Sequence, residues 1–316
     1  MRYAVLCLLV GCTPSNTTAG AALGEPCSKA LPCDSDGVCD FTAVGGPVCI
    51  DTTGDNDNDG IPNLLDRCPN APGDIRDTYD EDNDGIGDPC DKCPIAPPPS
   101  VPDLDNDDVD SPCDPDPDTA GDKILFFDGF GSAALDPKWN PSGSAAWTPE
   151  GGELVVDANQ PDEQYLELVV EPVPSFAIEA SYRIDGIEAS ATTHKVGARG
   201  FDSSPAGVAN FECGVITSDV GTGDVVALET NLNGTSAQAQ IPAFSTAPLY
   251  ETAAYATNAS VGCTVIGDNM PVGTTQNQIS PASLGTAALG VRAVTARFEW
   301  VLVVGRPTTG TGGGSM

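Results

Sequence analysis

Three short acidic segments carry residue types and spacings that could hold a metal ion. Asp55-x-Asp57-x-Asp59-Gly60-Ile61-x-Asn63-x-x-Asp66 recurs 25 residues later as Asp80-x-Asp82-x-Asp84-Gly85-Ile86-x-Asp88-x-x-Asp91. A looser third copy runs Asp103-x-Asp105-x-Asp107-Asp108-Val109-x-Ser111-x-x-Asp114. Oxygens at positions 1, 3, 5, 9 and 12, with a main-chain carbonyl at 7, form the set a six- to eight-coordinate hard cation takes up. Glycine at position 6 lets the chain turn sharply. The expected side-chain ligands are Asp55, Asp57, Asp59, Asn63 and Asp66 in the first loop and Asp80, Asp82, Asp84, Asp88 and Asp91 in the second. In the third they are Asp103, Asp105, Asp107 and Asp114, and the carbonyls come from Ile61, Ile86 and Val109. The third loop is the poorer one, because Asp108 replaces the glycine and should strain the turn, and Ser111 is a weak ligand. The expected cofactor is Ca2+, two or more ions per chain. Extracellular sites of this chemistry bind at about 0.1–1 mM, which suits a permanent structural ion, and folding of the segment should depend on it.

The charge balance points the same way. Formal net charge is −33, and residues 51–122 hold 22 of the 46 acidic residues against three bases, Arg67, Arg76 and Lys92. Exposed carboxylates about 4 Å apart repel by roughly 1 kcal/mol per pair even in water, so this density needs a cation inside it. A nucleic-acid partner is excluded by the sign, since phosphate binding rests on Lys and Arg.

Loops of this kind are positioned by helices in an EF-hand, and here those helices are ruled out. Pro62, Pro69, Pro89, Pro94, Pro97, Pro98 and Pro99 crowd the flanks, and helix interiors reject proline. Position 12 is Asp, not the bidentate Glu of EF-hands. A dockerin would need an amphipathic helix after each loop, which Arg67-Cys68-Pro69-Asn70 starts badly. A disordered acidic linker is the remaining alternative, and two matching loops with co-spaced cysteines argue against it. With Cys-Pro after the first loop and Gly-Asp-Pro-Cys-Asp in the second, residues Asp51 to Asp118 resemble the thrombospondin type 3 repeat. The resemblance implies an irregular chain wrapped around calcium ions, used as an extracellular spacer, with Cys68 paired to Cys90 and Cys93 to Cys113.

The N-terminus is expected to address the chain to the envelope. Met1-Arg2, the apolar run Val5 to Val10, and Leu9-Val10-Gly11-Cys12 resemble a bacterial lipoprotein signal, which implies cleavage before Cys12 and lipid on its sulfur. The apolar run is too short to span a bilayer. The expected partner is therefore the membrane, and the expected location the bacterial cell envelope, at the outer membrane or cell surface. Beyond Cys7 and Cys12, ten cysteines remain in even groups, as local disulfides in an oxidising compartment would require. Residues 25–50 form a four-Cys module with too few apolar residues for a core; Cys27 with Cys39 and Cys33 with Cys49 is one of three possible pairings.

From Lys123 apolar residues alternate. Phe176, Ile178, Ala180, Tyr182 and Ile184 share one face, the mark of a half-buried strand. Similar runs at Glu153–Asp157, Tyr165–Val170, Val208–Thr217, Val225–Leu232 and Ala296–Val304, with an Asn233-Gly234 turn, predict a mainly β fold, an antiparallel β-sandwich of jelly-roll type. Phe127-Asp128-Gly129-Phe130, Leu135-Asp136-Pro137-Lys138-Trp139, Trp147 before Gly152-Glu153-Leu154-Val155-Val156, and the closing run Arg297 to Val304 resemble concanavalin A-like lectins and glucanases. Cys213 and Cys263 could join strand edges.

No catalytic residue is expected. The ExDxxE triplet of such glucanases is absent, Glu167, Glu171 and Glu212 read as solvated strand charges, and His194 has no nucleophile pattern beside it. Trp139, Trp147 and Trp300 are expected to pack in the core. The expected order is a signal peptide (1–11), tether (12–24), disulfide module (25–50), calcium-binding repeats (51–122), sandwich (123–306) and disordered tail (307–316). Its expected role is non-enzymatic, presenting the sandwich to a glycan or surface protein. An envelope polysaccharide hydrolase and a purely structural coat component are the alternatives.

Overall fold

The computed structural model describes residues 20–97, 102–159, 161–202, 210–218, 225–230, 237–240, 246, 248–256, 260–268, 270–277 and 283–307. The signal residues with Cys12, Pro98, Pro99, the Asn233-Gly234 turn and residues 308–316 lie outside them. Two compact units divide between Thr78 and Tyr79. The second and third loops therefore fall in the same unit as the sandwich, not in a unit with the first loop.

In the first unit, β1 (Gly37–Asp40) and β2 (Val48–Asp51) form an antiparallel hairpin with Cys39 opposite Cys49. Disulfides join Cys27 to Cys39 and Cys33 to Cys49. The apolar cluster consists of these four cysteines and Ala21, so sulfur takes the place of an aliphatic core. The first loop is tied to this module by the Asn70 amide, which donates to the Asp40 carboxylate at 2.8 Å.

The second unit contains β3 (Lys123–Asp128), β4 (Trp139–Ser142), β5 (Ala146–Glu150), β6 (Glu153–Ala158), β7 (Gln164–Val173), β8 (Ser175–Ile187), β9 (Thr193–Asp202) and β10 (Asn210–Ser218). It continues with β11 (Val225–Thr230), β12 (Ala237–Gln240), β13 (Leu249–Ala256), β14 (Val261–Gly267), β15 (Met270–Asn277), β16 (Leu284–Arg292) and β17 (Val294–Arg306). A seven-stranded sheet has the order β12-β11-β10-β9-β16-β7-β4, and an eight-stranded one runs β15-β14-β13-β8-β17-β6-β5, with β3 also on β17. All described pairings within them are antiparallel. Proline explains part of the order: Pro141, Pro149 and Pro271 lie in the edge strands β4, β5 and β15, where a missing N–H costs no ladder bond. Pro172 falls at the irregularity where β7 meets β16.

The sheets close on one core. Phe176, Ile178, Ala180, Tyr182 and Ile184 are each at most 1% exposed, as their alternation requires. Trp139 and Trp147 pack in the same core. Asp128 explains why the Phe127 to Phe130 turn and Trp139 occur together: its carboxylate accepts from the Phe130 N–H and from the Trp139 indole N–H, both at 2.8 Å. The Cys213–Cys263 disulfide joins β10 to β14, linking the interiors of the two sheets rather than strand edges.

A β-bulge in β17 governs what happens outside the core. The register slips between Phe298 and Trp300, so Ala296 and Phe298 face inward before it and Val301 and Val303 after it. Leu302 and Val304 then point outward, yet they are 0% and 1% exposed. Cys93, Val109 and Cys113 of the second and third loops cover them, joined by Ile95, Ala96, Ile124, Phe127 and Trp300. These repeats lie as an extra layer on the eight-stranded sheet. Among the described residues between β2 and β3 there is no strand, only two 3₁₀ turns, Ile75–Thr78 and Asp88–Cys90.

Candidate metal centres

The three loops are folded by one hydrogen-bond plan. The position 1 carboxylate accepts from the N–H groups of positions 5 and 6: Asp59 and Gly60 on Asp55 (3.2 and 3.1 Å), Asp84 and Gly85 on Asp80 (3.0 and 3.1 Å), Asp107 and Asp108 on Asp103 (3.1 and 3.0 Å). The position 5 carboxylate accepts from the N–H of position 7, from Ile61 and Ile86 at 2.7 Å and from Val109 at 3.1 Å. Position 12 accepts from the N–H two residues on, Cys68 to Asp66 at 2.7 Å and Cys93 to Asp91 and Asp116 to Asp114 at 2.8 Å.

Asn58, Asn83 and Asn106, all at position 4, have φ of 66°, 59° and 64°. Asparagine tolerates that left-handed backbone, and its recurrence was a signal the ligand pattern alone overlooked. At position 6, Gly60 and Gly85 have φ of 97° and 104° and Asp108 has 76°, so the third loop makes the same turn with an aspartate in the left-handed region. Ser111 donates to the Pro102 carbonyl at 2.7 Å, closing the loop instead of facing its centre. At position 9, Asn63 Oδ1 and Asp88 Oδ1 accept from the position 2 N–H groups of Asn56 (3.0 Å) and Glu81 (2.9 Å), bracing the first two loops.

The plan brings carboxylate oxygens together. In each of the sets Asp55, Asp57, Asp59; Asp80, Asp82, Asp84; and Asp103, Asp105, Asp107, one carboxylate oxygen per residue lies within 4.8 Å of the others. Asp107, Asp114 and Asp122 form a fourth such set, and Asp122, outside the twelve-residue pattern, was missed by sequence. Buried carboxylate oxygens without a hydrogen-bond partner recur at position 3 in all three loops (Asp57, Asp82, Asp105) and at position 12 in two (Asp66, Asp114). Leaving one such acceptor buried and unpaired costs about 1–3 kcal/mol, more for a charged group, so these residues fit a cation. Burial, followed by the charge of neighbouring carboxylates, pushes Asp82 up to about 6 and Glu81 up to about 7. Burial is also the main cause that raises Asp114 to about 6 and Asp88 and Asp91 to about 7. Disulfides pin the loops: Cys93 is joined to Cys113, and Cys68 and Cys90 are each disulfide-bonded.

A second charged cluster lies on the outer face of the seven-stranded sheet. Glu212 is 4% exposed, so it is not the solvated strand charge its sequence context suggested. Strand pairing sets it against Lys195 (2.7 Å) and Arg199 (3.5 Å), and Glu163 reaches the same two cations at 3.2 and 3.4 Å. The Arg199 guanidinium lies over the rings of Tyr165 and Phe201, and the Tyr165 hydroxyl bonds to Glu163 and Arg199. Gly197 and Gly214 face each other beneath this layer, where a Cβ on either would meet main-chain oxygen at 2.1 Å. Burial raises Glu212. It acts on Glu163 in the same sense, but Lys195, the Tyr165 hydroxyl and Arg199 bring that carboxyl below its ordinary range. Glu167 and Glu171 lie on β7 apart from the described contacts of this cluster, and His194, the second residue of β9, has its ring Nε2 2.8 Å from the Glu188 carbonyl. Glu163, Lys195 and Arg199 carried no local motif, because only the sheet pairing assembles them.

No protein-family model and no curated protein sequence matches this chain. Among solved structures it is similar to an endo-β-galactosidase from Clostridium perfringens that releases GlcNAcα1-4Gal, at a TM-score of 0.43 and 12% identity over 59% of this chain and 63% of that one, less than two thirds of its length. It is also similar to the seed lectin of Lotus tetragonolobus, with TM-score 0.44 and 12% identity over 57% and 98% of the two chains. A putative β-glucanase from Mycobacterium abscessus gives 0.42 and 12%, over 57% and 100%.

Proposed function

We propose that this chain is a calcium-binding, lipid-anchored surface protein of the bacterial envelope, without catalytic activity, that presents its β-sandwich for adhesion to a glycan or another surface ligand. The carrying observation is the set of buried, partnerless carboxylate oxygens at repeated positions of three loops with one hydrogen-bond plan. Oxygen-only donor sets of this size suit calcium better than softer metals. The lipobox at Cys12 supports the anchor, and the even, local disulfides support an oxidising compartment. Calorimetric titration of the oxidised, metal-stripped chain tests the reading. We expect saturable binding of two or more ions, with dissociation constants of about 0.1–1 mM and gained protease resistance in residues 51–122. A chain that takes up no calcium at millimolar concentration would refute it.

The hydrolase reading is favoured by one observation: Glu163 and Glu212 share two cations while their acidities are displaced in opposite directions. Such a split is how paired carboxylates divide acid and base roles. On this reading the chain releases reducing ends from an envelope polysaccharide and Glu163→Gln lowers that rate at least about 10²-fold. No release by the unaltered chain removes it.

A further inference from the structure

We propose that Arg306 and Asp122 form a latch that couples cation binding in the third loop to the stability of the sandwich, with Arg306 as a positioning residue. The inference rests on the calcium reading above.

The coupling path is continuous in hydrogen bonds. Asp107, a ligand of the third loop, turns Oδ1 to the Val109 N–H and offers Oδ2 to the N–H groups of Gly121 (2.8 Å) and Asp122 (2.7 Å), where the chain enters β3. Asp114, the position 12 ligand, holds the Asp116 N–H, so two ligands organise residues 116–122. That segment grips the last residue of β17. The Arg306 guanidinium donates to Asp122 at 2.5 Å, to the Thr119 carbonyl at 2.6 Å and to Asp116 at 3.4 Å.

Position and burial make this more than a surface ion pair. Asp122 is 1% exposed, and its carboxylate oxygen belongs to the set with Asp107 and Asp114. Asp114 Oδ2, in the same set, is buried without a partner. The tethered guanidinium thus neutralises one carboxylate of the set and leaves the others to an ion. Val109 and Cys113 of this loop also pack on Leu302 and Val304 of β17, so polar and apolar contacts join the same two elements. An ion that orders Asp107 and Asp114 orders the segment that holds Arg306, and by linkage anything that orders Arg306 raises the affinity for the ion.

The test compares the full oxidised chain with Arg306→Gln, Arg306→Lys and Arg297→Gln, by calcium calorimetry and by thermal unfolding followed through tryptophan fluorescence. Arg297 lies in the same strand and pairs with Asp185 and Glu153, so its loss removes the same charge away from the loop. We expect calcium to raise the melting temperature of the unaltered chain. Arg306→Gln should weaken one class of sites about fivefold or more and shrink that rise. Arg306→Lys should recover part of both, and Arg297→Gln should lower the melting temperature without changing affinity. Equal affinities and equal calcium-dependent shifts in Arg306→Gln and the unaltered chain would overturn the latch while leaving the calcium reading intact. Equal weakening by Arg297→Gln would also overturn it, as an effect of net charge alone, and absence of binding by the unaltered chain would remove both proposals.

Discussion

Position 3 of each loop shows what a single side chain costs when its oxygen is buried without a partner. Asp57, Asp82 and Asp105 each hold a buried oxygen that no N–H or O–H reaches. The acidities carry a consequence with a definite sign. Glu81 is displaced from 4.5, and Asp88 and Asp91 from 3.8, to about 7. A carboxyl whose pKa rises on folding holds its proton better folded than unfolded, so its contribution to stability is intact below the unfolded value and is lost as pH rises through the folded one. The metal-stripped chain should therefore melt at progressively lower temperature from about pH 4 to about pH 7, and saturating calcium should flatten or reverse that slope. Scanning calorimetry at several pH values, with and without calcium, checks both halves; a stripped chain that gains stability over that range would contradict the burial described. At this scale the clustered carboxylates of each loop were legible because they follow one another within twelve residues. Asp122 was not, since it stands fifteen residues beyond Asp107, and Glu212 was misread because its burial comes from Lys195 and Arg199 on another strand.

Among the elements, β17 is the most constrained. It pairs with β8, β6 and β3, and beyond its bulge both faces are covered. Val301-Leu302-Val303-Val304 is accordingly a continuous apolar run, the pattern of a strand buried on both sides. That run was visible in sequence, but its meaning was not, because nothing local says that the acidic loops are its cover. Leu302→Ala should cost about 2–5 kcal/mol in calcium-saturated protein, measured by denaturant unfolding. The outward face of an uncovered sheet would lose no more than about 0.5 kcal/mol, so a value that small would mean that the loops do not pack there. The strands themselves were read well where alternation is unbroken, as in β6 and the first half of β8, and less well in β17, where one extra residue reverses the alternation.

For the whole molecule, the mainly β class and the disulfide-rich, irregular acidic segment follow from composition and period. The boundary between repeats and sandwich does not. Composition changes at Lys123, but the compact unit begins at Tyr79, because packing of Val109 and Cys113 on β17 unites segments that differ in every local property. The order of strands has a consequence in time. In the seven-stranded sheet β16 lies between β9 and β7, and in the eight-stranded sheet β17 lies between β8 and β6. Among the described strands these two central ones come last along the chain. Until residue 306 has emerged, both sheets are split through the middle and neither layer of the core can close, so the polypeptide stays open while it is being made.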